Sequence, residues 1–177
     1  MNDHLVIAPP KADEYHQSLA VYISLVGTDD LLSYFESQKE SVASLAQTLS
    51  EEQLLFRYAP NKWSVKDIFC HIIDCERIYG YRALCIARGD KTELPGFEEN
   101  DYAESANADR RDIVGIVREY KSVRSATIEL FKSFDEATLL SRGTANGSIR
   151  SVRSIGYVAA GHELHHLNVI KERYLRG

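Results

Sequence analysis

No apolar run in this chain exceeds a few residues, so nothing in it is long enough to cross a membrane as a helix, which takes about 20. The opening Met1-Asn2-Asp3-His4 lacks a basic stretch followed by an apolar core, and a cytoplasmic protein without a secretory leader is the expectation. Cysteine is scarce: Cys70, Cys75 and Cys85 are odd in number and form no CxxC pair, which argues against a disulfide framework. Positive charge is in deficit, with 21 basic against 26 acidic residues and a net charge of -5. A nucleic-acid binder wants a basic face, so that class is disfavoured. The local basic spots, Arg110-Arg111 and the Arg150/Arg153 pair, read as solvated surface. Repeats and low-complexity tracts are also missing, and strand signals are nearly so.

What is present is helical period. The 177 residues, 44% hydrophobic and 27% charged, fit one domain over 1–177 that buries enough surface to fold without a staple. A short helix fits Glu14 to Val26, ended by Gly27. The first long helix starts at Thr28 or Asp29 and runs to about Leu49, with Leu31, Leu32, Phe35, Val42 and Leu45 on one face. Ser64 begins the second: its side chain caps the free amides while Asp67 reaches back, and Gly89 ends it. The 89–107 connection shows little periodicity and is long enough to be functional or to span the domain. A third helix covers about Asp109 to Phe134. Asn146-Gly147 marks a tight hairpin, and a last helix runs from about Ser151 to Tyr174. The sum is an all-α protein: a four-helix bundle with a short N-terminal helix and a small hairpin before the last helix.

Chemistry concentrates in Gly161-His162-Glu163-Leu164-His165-His166. Residues four apart share a helix face, so His162 and His166 point the same way, alongside Ile155, Val158, Ala159, Val169 and Ile170. Two imidazoles aimed into an apolar core need partners, because an unpaired buried polar group costs roughly 1–3 kcal/mol. A shared metal ion supplies both at once. The letters also fit H-E-x-x-H, which supports a metal pair more than it supports proteolysis. His165 falls at the edge of the stripe. Glu163 falls on its opposite flank. His71, two turns into the second helix, is the natural third ligand; the bland alternative is a hydrogen-bonded core histidine. Cys75, one turn later, reads as a packed thiol, with a thiolate ligand as the weaker option. Glu76 and Arg124 sit inside apolar stripes, and buried charges are expected to pair, either with each other or as a layer orienting metal ligands.

The motif Lys62-Trp63-Ser64-x-x-Asp67-x-x-x-His71-x-x-Asp74-x-Glu76, followed far downstream by Gly161-His162-x-x-x-His166, resembles the DinB-like superfamily of bacterial metal-binding bundles. The likeness runs from about Tyr22 to Tyr174 and takes in Arg88-Gly89-Asp90 and Leu94-Pro95-Gly96-Phe97. It implies the ligand triad His71, His162 and His166, a divalent metal such as zinc or nickel, and an up-down-down-up bundle whose second and third helices run parallel. It also implies a homodimer and a metal-dependent enzyme of the small-molecule thiol S-transferase type. A hydrolase and a non-catalytic, stress-related binding protein are the alternatives. Asp67, Glu163 and His165 are the nearest candidates for proton transfer.

Overall fold

The computed structural model describes residues 6–175; Met1 to His4, read above for a leader, lie outside them. The elements in chain order are α1 (Ala20–Ile23), α2 (Leu31–Thr48), α3 (Glu51–Leu55), α4 (Val65–Ala87), α5 (Glu99–Ala106), α6 (Ile113–Lys132) and α7 (Glu136–Leu139). A two-stranded hairpin, β1 (Arg142–Ala145) and β2 (Ser148–Ser151), leads into α8 (Val152–Val169). The long helices α2, α4, α6 and α8 form the expected bundle. Among the described residues no helix is long and apolar enough to cross a membrane.

Their directions follow from cross-contacts. Cys70 on α4 meets Arg111 just before α6 and, further along both helices, Glu76 meets Arg124, so these helices run parallel. On α2 and α6, Glu40 pairs with Lys121 and Glu36 with Lys132, the antiparallel order. The hydroxyl of Tyr174, just past α8, donates to the Trp63 carbonyl just before α4, so those two are antiparallel as well. The bundle is therefore up-down-down-up, and the 88–112 connection must carry the chain back along the length of α4.

Most start signals act as read. Ser64 accepts from the Asp67 N–H while its own N–H donates to the Asp67 carboxylate, closing a capping box. Ser151 caps α8. Gly89 takes φ +80°, and Asn146 and Gly147 take φ 50° and 68°, the left-handed pair that a tight hairpin requires. Several boundaries differ. Asp30, rather than Thr28 or Asp29, caps α2, with Thr28 Oγ1 accepting from the Asp30 N–H. Asp112 caps α6, which starts at Ile113 rather than about Asp109, because residues 108–110 form a separate 3-10 turn. The expected helix at 14–26 is two 3-10 turns and the single turn α1. The 89–107 connection contains α5, and α8 ends in a π-turn over Ile170–Tyr174.

The apolar core falls into two clusters. One gathers Leu31, Phe35, Ile86, Phe131 and Val158 at the hairpin end, and the other gathers Val42, Ile68, Ile72, Ile116 and Ile170 at the Trp63 end. Between them lies a polar belt. Arg124, wholly buried, donates to Glu76 at 2.7 and 2.9 Å and to Glu163 at 2.7 Å, and Tyr120 donates to Glu163 at 2.8 Å. The Glu76–Arg124 pairing is the one expected from sequence. Glu163, on the opposite flank of the histidine pair, is the added partner, and α8 is buried nearly all round at that level.

Candidate metal centre

The polar belt continues into the histidines. The α4 capping box fixes where its first turn begins, and His71 follows two turns later, buried, beside the next helix over. On α8, His162 is buried and His166 half-buried, one turn apart. His162 Nε2 stands 3.1 Å from His71 Nε2 and 3.2 Å from His166 Nε2. One nitrogen from each of the three rings lies within 4.8 Å of the other two. Stretches 91 residues apart in sequence thus meet at one point.

A neutral ring nitrogen offers either one proton or one lone pair, so His162 Nε2 satisfies at most one of its two neighbours by hydrogen bonding. A cation would satisfy all three. The spacing agrees: tetrahedral ligands at about 2.0–2.1 Å from zinc are about 3.3 Å apart. Protonation agrees too. Burial pushes His71 down to about 4. Burial, then the neighbouring His71 and His165, pushes His166 down to about 3. His162 lies well below the usual imidazole range for the same reasons. All three are neutral near pH 7, the form that binds metal.

Cys75 takes the packing role. Its sulfur sits at the edge of the His71 ring, 3.5 Å from Nε2 and 3.6 Å from Nδ1, outside the converging group, and burial pushes its thiol far above the ordinary range. Of the three proton-transfer candidates, two are committed elsewhere. Asp67 holds its capping box and accepts from Arg57 at 2.9 Å. Glu163 is consumed by Arg124 and Tyr120. His165 alone remains beside the site, its ring 5.2 Å from that of His166.

Aromatic residues enclose the triad, a feature that histidine spacing did not reveal. Trp63 lies 4.6 Å from the His71 ring and stacks 6.3 Å from His166. Tyr22 and Tyr79 meet His162 edge-on at 5.5 and 5.8 Å. Tyr22 is held there by Gly161: a Cβ at that position would lie 1.9 Å from the Tyr22 carbonyl oxygen, so only glycine lets α1 lie against α8. The open side of the centre faces a cavity of about 360 Å³, lined by His165 and His166 together with Tyr58, Lys62, Trp63, Glu99, Asn100 and Arg173. A second cavity of about 580 Å³ shares Asn61, Lys62, Trp63 and Asn100 with it.

The basic spots are not alike. Arg110 is exposed, Arg111 pairs with Glu119 and Arg153 with the buried Glu14. Arg150, read as solvated surface, is buried where the hairpin meets the bundle.

No curated protein matches this chain. Among solved structures it is similar to YfiT from Bacillus subtilis, described as a probable metal-dependent hydrolase with an unusual four-helix bundle topology. The identity is 15%, the TM-score 0.68, and the match covers 92% of this chain and 89% of that one, which establishes a shared fold. The DinB superfamily matches residues 34–170, a span that contains all three histidines. The chain belongs to the DinB superfamily.

Proposed function

We propose that this protein is a metal-dependent enzyme that holds one divalent cation, zinc or nickel, on His71, His162 and His166 and activates a small nucleophile there. The observation that carries the reading is a triad of neutral imidazoles with one edge, at His166, opening into a cavity, with no fourth protein ligand grouped with it among the described residues. Three protein ligands plus an open position is the catalytic pattern. When bound, such a cation lowers the pKa of a coordinated thiol or water and polarises an electrophile.

The chain's own residues supply the rest. Trp63 packs against His71 and forms part of the cavity wall. His165 lines the cavity outside the ligand group and is placed to accept or return the nucleophile's proton. Lys62, Asn100 and Arg173 offer donors that orient a polar substrate in the same cavity. A small-molecule thiol is the nucleophile we favour, giving an S-transferase. Hydrolysis by water is the second reading, favoured by the description of YfiT.

Elemental analysis of the purified protein beside His166→Ala tests the foundation. About one metal per chain in wild type and a clear loss in the variant is expected; equally little metal in both would remove it. Thiol-plus-electrophile and ester panels, run before and after chelation, separate transfer from hydrolysis. Activity indifferent to the chelator would rule the mechanism out.

A further inference from the structure

Every buried carboxylate and ammonium among the described residues has a partner of opposite charge. Glu14 has Arg153, Lys66 has Glu51, Asp67 has Arg57, and Glu76 and Glu163 share Arg124. Two buried guanidiniums break the pattern. Arg82 is 4% exposed and Arg150 5% exposed, and neither pairs with a carboxylate among the described residues. Arg82 donates from Nη2 to the Pro95 carbonyl at 2.7 Å. Arg150 makes no side-chain hydrogen bond, and its Nε is fully enclosed without an acceptor.

The fold brings the two together. Arg150 on β2 stands opposite Gly143 on β1. A Cβ on Gly143 would lie 2.6 Å from Ile86, one helical turn beyond Arg82 on the same face of α4. Leu94, next to Arg82's acceptor Pro95, is hydrogen-bonded to the hairpin at Thr144 and Asn146. The like charges feel each other: burial, then Arg82, pulls Arg150 below the usual guanidinium range. Arg82 also lies one turn past Tyr79 on α4, and the Tyr79 ring meets His162 at 5.8 Å.

An uncompensated buried charge is strongly unfavourable, and two of one sign side by side are worse. A carboxylate or phosphate would supply the missing counter-charge and the acceptor that Arg150 Nε lacks. We infer that Arg82 and Arg150 form an oxyanion site where the hairpin docks on α4, binding the carboxylate or phosphate group of an anionic ligand. The anion site does not rest on the enzymatic reading above.

Thermal melts of the protein, as purified and again after metal removal and dialysis, test it with inorganic phosphate and with succinate against chloride at equal ionic strength. A rise of about 3–6 °C is expected at tenfold over Kd for the matching anion. A response to phosphate identifies a phosphoryl group, and one to succinate a carboxylate. Arg150→Met should melt no lower than wild type without anion and should lose the rise, because it removes an unpaired charge; Arg82→Gln should lose the rise too. No specific rise in wild type, or an undiminished rise in both variants, overturns the inference. A rise that persists in protein whose triad binds no metal keeps the anion site and removes the enzyme.

Discussion

Arg124→Met strips the polar belt of its only cation. The side chain is wholly buried, stacks 4.5 Å over Phe35, and is the hydrogen-bond donor shared by Glu76 and Glu163. Methionine fills much of the volume, so the loss is mainly electrostatic. Breaking a buried pair by removing one partner costs about 3–5 kcal/mol. Against a total of about 5–15 kcal/mol that is a large fraction, and for a chain of this size it lowers Tm by roughly 6–20 °C. The loss has a pH signature. Burial already raises the Glu163 carboxyl, and Arg124 is what opposes the rise. Without Arg124 its folded pKa climbs further above the unfolded value of about 4.3. A raised folded pKa means stability that is present at low pH and lost as pH rises through it. The deficit against wild type should therefore be smaller at pH 5 than at pH 8. Urea denaturation followed by circular dichroism at both values measures it. A deficit below about 1 kcal/mol, or one equal at the two pH values, would refute the belt's electrostatic role. Adding Glu76→Gln and Glu163→Gln to Arg124→Met should recover part of the loss, since no uncompensated carboxylate then remains.

Metal-free protein should weaken on mild acidification. His71 and His166 have folded pKa values depressed to about 4 and about 3, so the unfolded chain takes up protons near pH 6.5 that the folded one refuses. Their contribution is complete above pH 6.5 and falls by about 1.4 kcal/mol per pH unit for each histidine as pH drops towards 4. Denaturation midpoints at pH 7, 6 and 5 follow it, with a shallower slope expected for His166→Ala. Gly161→Ala drives a methyl into the Tyr22 carbonyl and should cost about 1–3 kcal/mol. Gly80→Ala, with nothing within 4 Å of the added atom, should instead be neutral or stabilising by about 0.5–1 kcal/mol.

What sequence made legible was local periodicity and local caps. His162 and His166 announced themselves because a spacing of four fixes a shared face wherever the helix goes. Ser64, Gly89 and Asn146-Gly147 act through their own backbones, so each did what its type dictates. The misses needed knowledge of neighbours. Glu99–Ala106 is a polar segment with one buried residue, Ala103, and its helix carries no apolar stripe to read. Asp109 read as the approximate start of the third helix, yet it accepts from Ser64 and Arg57 and ties the approach to α6 to the start of α4. Glu163 read as a residue on the opposite flank of the histidine pair, and its ion pair with Arg124 could not be seen because the helical wheel shows one helix, while α8 is enclosed on several sides. Arg82 and Arg150 belong to different elements, and only the docking of hairpin on helix makes them neighbours. Trp63 read as a helix start, and its contact with two histidines depends on α8 returning antiparallel.

The belt between the two apolar clusters also determines how the helices slide. Leucine and isoleucine faces tolerate displacement by one turn, about 5.4 Å, with modest loss, since one aliphatic side chain replaces another. A one-turn displacement of α8 against α4 and α6 would instead leave Arg124 facing Ala159 or Leu167 in place of Glu163, and would move His162 and His166 away from His71. Only one alignment of the bundle satisfies every charge at mid-height, so the same side chains that equip the centre also choose its register.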